Sequence, residues 1–591
     1  HRLSVIGIPP YLIPQLVDIW SGWVTHNGPE WAVKRFKSLK VDLIRQHSGL
    51  AKITGYVRKN RKGDYHGAIG ALFRWSERGA KNFARALQAF CIYTSVTSED
   101  ETRSQLEKFM GAVSCQTTTG LETAFFSKLA ESLFVIPSHL CEIERGGNQL
   151  ITYRGSPEKF APLPHSLGST TQDKKVLWDL AWLRNMKNVA FAYLRYGDLY
   201  GPVFEGIGDV TRYHHIDEID PISYAGEVHF IQEPGYKLRA VASPYRIHQL
   251  ALKPLGDALS KIVQTLPWDC TFDQTRALPI IQDRLKSGST VHSVDLSNAT
   301  DFFPLDIQVF VLQCLFGTVC SDIRLFRDIS RMSWKSKHGD IVWGRGQPLG
   351  LYPSFFAFTL THGLVLHSLS EREGDFLVVG DDVVIFDDTL YERYLEFLQK
   401  TSCPYSSEKS LSSSRVAEFA GKVVIPDRVI PQLKWRSMSN DSFLDLAALL
   451  GPRSRILMTD RQRRVFDLVR DLLPPVGLNM STPGSNYLDS FRRTEQFLAQ
   501  GEQTLVRSLT GLIRTIWRNA KDDPSGSVLN ADTRTFDEKV LQVFRKTVFS
   551  HWMWLDHVAE LPQALGLEPR LPIEAYPTRL STLSRYERIL S

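Results

Sequence analysis

The stretch Phe376-Leu-Val-Val-Gly-Asp-Asp-Val-Val-Ile-Phe386 constrains the fold more than any other. Two apolar runs, Phe376 to Val379 and Val383 to Phe386, flank Gly380-Asp381-Asp382. Short β-branched runs around a Gly/Asp pair predict a hairpin with buried strands and a tight turn. Gly380 can take the backbone dihedrals that such a turn demands. The turn then presents Asp381 and Asp382 on stiff supports. By itself a Gly-Asp-Asp is an ordinary Asp-rich turn. Its company changes the reading, because eighty-six residues before Asp381 the segment His292-Ser-Val-Asp295 runs a predicted strand into a third Asp. Three carboxylates on converging strand ends are equipment for holding two divalent cations and moving a phosphoryl group.

At 591 residues the chain is long enough for several subdomains sharing large cores. With 43% hydrophobic and 23% charged residues its composition is that of a soluble globular protein. A net charge of +6 permits a polyanionic partner without requiring one. Seven Cys are scattered with no CxxC pair, which disfavours zinc ribbons and disulfide frameworks and suits a reducing interior. No secretory signal is visible, since Pro9, Pro10 and Pro14 interrupt the first apolar segment. The chain opens on His rather than Met, so an initiator segment is expected to precede it, and with it any targeting peptide. Leu349 to Leu369 lacks Asp, Glu, Lys and Arg but carries Pro353, His362, Gly363 and His367. It is predicted as a buried core helix, and no integral membrane segment is expected.

From Trp31 to about Arg195 the pattern is mainly helical. Ser98 with Glu101 has the spacing of a capping box ahead of a helix through Leu106, Phe109 and Met110. Arg58-Lys-Asn-Arg-Lys62 is a basic cluster, Ser156 to Lys175 reads as a long loop, and helical spacing resumes from Val176 to about Tyr196. In Glu233-Pro-Gly-Tyr-Lys-Leu-Arg239 a turn leads into an extended run that puts Lys237 and Arg239 on one face. Such a pair can clamp a triphosphate, or stand on the wet face of an edge strand. A helix follows with Leu255, Leu259, Ile262 and Leu266 in register, then Asp269-Cys-Thr-Phe-Asp-Gln274. After the predicted strand Thr290 to Asp295, a helix carries Ile307, Phe310, Val311 and Cys314 on one face. Asp301 sits near a helix start, where a capping role is its ordinary use. Gly344-Arg-Gly-Gln-Pro-Leu-Gly350 is a Gly-rich loop entering the Tyr352 to Leu369 helix, and its glycines let backbone approach a ligand closely. Leu390 to Gln399 is amphipathic, Lys409 follows, and Val416 to Ile425 reads as a further strand pair. Beyond Asp441 helices are expected over 459–472, 488–498, 503–517 and 534–561, with a linker at Asp522 to Ser527 and a cationic patch at Arg461, Arg463 and Arg464.

The order Lys237/Arg239, Asp295…Asp301, Gly346-Gln-Pro-Leu-Gly350 plus helix, Gly380-Asp-Asp382 and Lys409 resembles motifs F, A, B, C and D of viral RNA-dependent RNA polymerases. Asp295-Leu-Ser-Asn-Ala-Thr-Asp301, Thr361-His362, Asp269 to Gln274 and Glu418-Phe-Ala420 look like the mitovirus polymerases and their narnavirus relatives. The resemblance covers Glu233 to about Trp435. Phe302 stands where that family usually has Arg, Leu349 where Met is common, and Gly363 where a second His follows Thr-His.

The resemblance implies an α+β right-hand polymerase with an antiparallel palm sheet. Fingers would span residues 1–290 with motif F near 233–246, the palm 291–440 and a helical thumb 441–591. Asp295 and Asp381 would bridge two Mg²⁺, with Mn²⁺ as a substitute, and Asp382 would support them. Lys237 and Arg239 would hold the triphosphate, and Lys409 would protonate pyrophosphate. Asp301, with Ser354 or Thr361, would sense the ribose 2′-OH. Gly346, Gln347, Gly350 and Arg246 would contact template or product RNA. The implied partners are RNA template, nascent RNA and ribonucleoside triphosphates. The compartment would be the mitochondrial matrix for a mitovirus-type enzyme and the cytoplasm for a narnavirus type. A reverse transcriptase and an inactive, domesticated RNA-binding copy are the rival readings.

Overall fold

The computed structural model describes residues 2–145, 180–205 and 221–435, apart from 55–56, 58, 62–64, 117–119 and 275, together with scattered positions between 454 and 493. The chain divides into two compact units, Pro14–Arg436 and His1–Ile13 with Ser437–Ser591. In the second unit Arg2–Ile6 is helical, Met458 and Phe466 are buried, and Arg455 pairs with Asp467 at 3.0 Å. The expected loop at 156–175 and the linker at 522–527 lie outside the described residues, as do Arg461, Arg464 and most of the helices expected beyond 441. Arg58 and Lys62 of the basic cluster are outside them too.

The larger unit is helical around three antiparallel sheets. The helices that bear on the site are α1 (Pro29–His47), α2 (Arg103–Val113), α3 (Arg246–Thr265), the single turn α4 (Ala299–Phe302), α5 (Leu305–Phe316), α6 (Ser354–Leu369) and α7 (Asp388–Lys400). Strands β1 (Gly226–Glu233) and β2 (Lys237–Pro244) form one hairpin. The main sheet has the order β4-β5-β3-β6, from β3 (Val291–Asp295), β4 (Phe376–Val379), β5 (Asp382–Ile385) and β6 (Leu411–Ser413). A third sheet is built from β7 (Ala417–Phe419), β8 (Lys422–Ile425) and β9 (Arg428–Pro431), one strand more than the sequence pattern suggests.

The apolar run around the Gly-Asp-Asp turn is buried on both faces, which is why it does not alternate with polar residues. Phe376 and Val378 of β4, and Val383 and Ile385 of β5, enter a large core with α3, α5 and α6. Leu377, Val379 and Val384 enter a smaller one with Ala417, Phe419 and Val424 of the third sheet. This is period-two geometry with a core on each side. By the same alternation Asp295 and Asp382 share the face of Val291 and Val384. Helix α6 is apolar nearly all round and buried along most of its length, as a core helix should be. Among the described residues no helix is long and apolar enough to cross a membrane.

Several local expectations need correction. The capping box of α2 is Thr102 with Gln105, each side chain bonded to the other's backbone N–H, and Ser98 instead turns its hydroxyl onto the Asp100 carbonyl. Both quartets fit the sequence rule, and the helix starts at the later one. Cys314 is exposed; the buried stripe of α5 is Leu305, Ile307, Val309, Val311 and Leu312. The helical pattern ending near Tyr196 breaks into Met186–Val189 and a π-helical turn at Ala190–Arg195.

Candidate active site

Asp295 ends β3 and lies opposite Asp382 in the ladder, at the first position of β5. The loop after α7 is wrapped on it. Ser406 N–H donates to the Asp295 carbonyl at 2.8 Å, and Asp295 N–H donates to Ser410 Oγ at 3.2 Å. That loop delivers Lys409, whose Nζ sits 2.5 Å from Asp295 Oδ2. Both side chains remain more than a third exposed.

The β4–β5 turn is the two residues Gly380 and Asp381, with Val379 paired to Asp382. Gly380 has φ 58°, the left-handed value a two-residue hairpin turn of this kind requires. The turn is also held from beneath. His362, fully buried in α6, donates from Nδ1 to the Gly380 carbonyl at 2.8 Å, while Nε2 lies 2.7 Å from the Tyr394 hydroxyl on α7. A carbonyl can only accept, so the proton is on Nδ1 and Nε2 accepts from Tyr394. Burial pulls the imidazole down to about 4, which keeps it neutral and fixes this arrangement. Nothing in the sequence ties residue 362 to residue 380 beyond the family resemblance at Thr361-His362.

Asp381 is solvent-reachable, yet flanking protein pushes its carboxyl up and the charge of Asp295 adds to that. Asp382 is raised to about 7, first by burial and then by Asp381, Glu418 and Asp295. Lys237 opposes both shifts, and Arg239 opposes the first. Crowded, desolvated carboxylates of this kind are relieved by a cation, and their oxygens are the hard donors that Mg²⁺ and Mn²⁺ prefer. The chemistry of the donor set therefore fits a divalent metal. As the side chains stand, no three His, Cys, Asp or Glu groups among the described residues converge into a ready-made metal pocket. Asp295 is instead neutralised by Lys409.

The other expected residues divide into two groups. Lys237 and Arg239 do share a face of β2, but both reach back across the turn to Glu233, at 3.7 and 3.0 Å. Partial burial pushes Glu233 up, and these two cations override it. The second group is mostly buried. The Gly-rich loop meets protein backbone where the sequence suggests a ligand: a Cβ on Gly346 would lie 2.1 Å from the Thr300 carbonyl oxygen, and one on Gly350 1.8 Å from that of Ala242. Gln347 N–H donates to the Thr300 carbonyl, Gln347 Nε2 to that of Ser354, and Ser354 Oγ to that of Pro348. Arg331, unnoticed in the sequence, clamps the carbonyls of Trp343, Arg345 and Gly346 with three hydrogen bonds of 2.7–3.1 Å. Thr361 and Gln347 are fully buried, and Ser354 and Arg246 nearly so. Asp301 is not a helix cap: the residue before α4 is Asn298, which makes no side-chain cap. Its Oδ1 accepts from Trp343 Nε1 at 2.9 Å, and burial raises its carboxyl to about 6. Gly363 lacks a side chain because Trp268 fills the space, with Nε1 2.2 Å from where a Cβ would stand.

Sequence reasoning read the stretch from Trp31 as helical but missed the place of α1 beside the site. Lys40 Nζ donates to Gln432 Oε1 at 2.5 Å, and Gln432 Nε2 donates to Glu418 Oε1 at 2.7 Å. Burial lowers Lys40, and Glu418 leads the acidic groups that override it. The ammonium of Lys37 feels Lys409, Lys40, Lys237 and Asp295.

An Asp ending an inner antiparallel strand, in register with a Gly-Asp-Asp turn and faced by Lys and Arg, is the arrangement that the resemblance to viral RNA-dependent RNA polymerases implies. A family model described as mitovirus RNA-dependent RNA polymerase matches residues 148–442. The chain is 31% identical over 209 residues to the RNA-directed RNA polymerase of Cryphonectria parasitica mitovirus 1 (strain American chestnut tree/New Jersey/NB631), a match covering 34% of this chain and 26% of that protein. It thus spans about a quarter of that relative. An uncharacterized mitochondrial protein of Arabidopsis thaliana is 31% identical over 173 residues, covering 27% of this chain and 68% of the relative. Among solved structures, the chain is similar to an insertion-loop deletion mutant of a human picobirnavirus RNA-dependent RNA polymerase, with TM-score 0.31 and 15% identity over 46% of this chain and 61% of that one. A polymerase complex inside a double-stranded RNA virus gives TM-score 0.41 and 10% identity, covering 71% and 43%. The chain belongs to the mitovirus RNA-dependent RNA polymerase family.

Proposed function

We propose that this chain is a viral RNA-directed RNA polymerase that adds ribonucleotides to an RNA 3′ end on an RNA template. The observation that carries the reading is the register pair Asp295–Asp382 beside Asp381, with Lys409 on one side and the Lys237 hairpin reaching the same carboxylates electrostatically. Fingers over 1–290, palm over 291–440 and thumb over 441–591 are the layout we assign to it.

Asp295 and Asp381 would hold two Mg²⁺ ions, or Mn²⁺ in their place, with Asp382 supporting; when bound, such ions lower the pKa of the attacking 3′-OH and neutralise the triphosphate. The chain's own residues do the remainder. Lys237 and Arg239 exchange the Glu233 carboxylate for phosphate oxygens, Arg by its fork and Lys as a point charge. Lys409 leaves Asp295 and gives a proton to the departing pyrophosphate. His362 keeps Asp381 in place through the Gly380 carbonyl. Asp301 would read the ribose 2′-OH from its half-buried position beside Trp343. Gly346, Gln347 and Gly350 of the loop and Ser354 at the start of α6, with Thr361 and Arg246 behind them, act as the support of the RNA track. We assign the enzyme to mitochondria, in keeping with its mitovirus and plant mitochondrial relatives.

Incorporation of labelled NTPs and dNTPs by the full chain on an RNA template with Mg²⁺ tests the reading. RNA product is expected from NTPs. DNA product would instead indicate a reverse transcriptase, and RNA binding with no product from either substrate an inactive copy.

A further inference from the structure

Helix α1 lies outside every stretch that carries the family resemblance, yet it runs along the carboxylate centre. Near its C-terminal end Arg45 Nη1 donates to the carbonyls of Glu408 and Ser407 at 3.2 and 3.5 Å, the two residues before Lys409. Just past it, the Ser48 carbonyl accepts from Ser413 Oγ of β6 at 2.8 Å. In the middle, Lys40 joins Gln432 and Glu418, and Glu418 N–H donates to Ser293 Oγ at 2.9 Å, two residues before Asp295. Toward its N-terminal end the charge of Glu30 is felt at Tyr236, in the turn that precedes Lys237. The helix therefore spans from the Lys237 hairpin to the Lys409 loop, and Lys37 stands one turn before Lys40 on the same face.

The cations already placed at the three carboxylates are committed. Lys409 is on Asp295, Lys237 and Arg239 are on Glu233, and Lys40 is in the Gln432–Glu418 network. Lys37 is half-buried, and among the described residues it has no hydrogen-bond or ion-pair partner. A partly desolvated ammonium with no hydrogen-bonded counter-charge costs stability, and such a group stands ready for a ligand that supplies that charge. Burial, then Lys409, Lys40 and Lys237, pull it down to about 8 against the opposing charge of Asp295.

We propose that Lys37 is a polyphosphate-binding residue of this centre: its ammonium takes an oxygen of the incoming triphosphate and then of the released pyrophosphate. This rests on the polymerase reading. It adds to the site a residue 258 positions before Asp295, contributed by a helix rather than by the β1–β2 hairpin.

The test is steady-state NTP incorporation by the full chain, with Lys37→Met, Lys37→Arg and inorganic pyrophosphate as inhibitor. Lys37→Met is expected to raise KM for NTP roughly tenfold, as loss of one charged hydrogen bond does, and to weaken pyrophosphate inhibition in proportion. Lys37→Arg should stay within about threefold of wild type on both, because charge and donors are kept. Lys37→Met should also melt no lower than wild type, since it removes an unpaired charge. Wild-type KM and pyrophosphate inhibition in Lys37→Met would overturn the proposal. So would a lowered melting temperature with Lys37→Arg as impaired as Lys37→Met, which would make Lys37 structural. An active wild type separates these outcomes from failure of the polymerase reading itself, which an inert wild type would bring down together with this assignment.

Discussion

His362 shows how a single buried residue can act on chemistry it never touches. Its two ring nitrogens hold the Gly380 carbonyl and the Tyr394 hydroxyl, so the turn carrying Asp381 is pinned to α6 and α7. His362→Leu removes both bonds; because a displacement of about 1 Å at a reacting group can cost a hundredfold, incorporation is expected to fall by about that factor with KM for NTP little changed. His362→Asn, whose amide N–H can replace Nδ1–H, should recover most of the loss. Rapid-quench kinetics on the three proteins would read this, and equal rates for Leu and wild type would sink it. Asp301 makes a second residue-level prediction. Its carboxyl is raised to about 6 in the fold, so the native state holds its proton at pH values where the unfolded chain has released it. Relative to Asp301→Asn, wild type should therefore lose stability as pH rises from about 4 to about 6, by at most about 3 kcal/mol and less to the extent that water reaches the group. Urea unfolding across that window checks it, and parallel pH profiles would refute it. At this scale the sequence was informative where chemistry is local: Asp295, Asp381, Asp382 and Lys409 are named by type and order. The pairing of His362 with Gly380 depends on α6 passing under the hairpin, which no spacing in the chain announces.

At the scale of elements, the alternation of Phe376, Val378, Val383 and Ile385 against Leu377, Val379 and Val384 was readable only as a buried hairpin, because a strand covered on both faces loses its polar phase. The Pro-Gly turn and the extended run bearing Lys237 and Arg239 were equally legible, but the partner strand β1 was not. What the pattern did not convey was that Glu233 sits opposite Lys237 and already occupies both cations. The Gly-rich loop is the clearest difference between expectation and structure. Its glycines permit close approach, as the rule says, but to the backbones of α4 and β2. Gly346→Ala would drive a methyl into the carbonyls of Thr300 and Asp301. Overpacking of that kind should destabilise the protein by about 3 kcal/mol in a denaturant titration; a loss below about 1 kcal/mol would show that the loop lifts off α4 readily. The contacts of α1, itself legible as a helix, and the Arg331 clamp were illegible for a common reason: their partners lie far along the chain or on backbone carbonyls, which leave no mark in side-chain spacing.

At the scale of the whole molecule, composition bounded little beyond a soluble chain able to meet a polyanion. The order of weak local signals carried the reading, and the family match over 148–442 agrees with it. The central claim is that the end of β3 and the β4–β5 turn form one reaction centre for RNA synthesis. Single-turnover NTP incorporation by Asp381→Asn, beside an RNA-binding titration on the same protein, tests it most directly. A loss of roughly a thousandfold in rate is expected, with RNA affinity within a few-fold of wild type. Activity within tenfold of wild type would show that Asp381 is an ordinary turn residue and that the chemistry, if present, lies elsewhere in the chain.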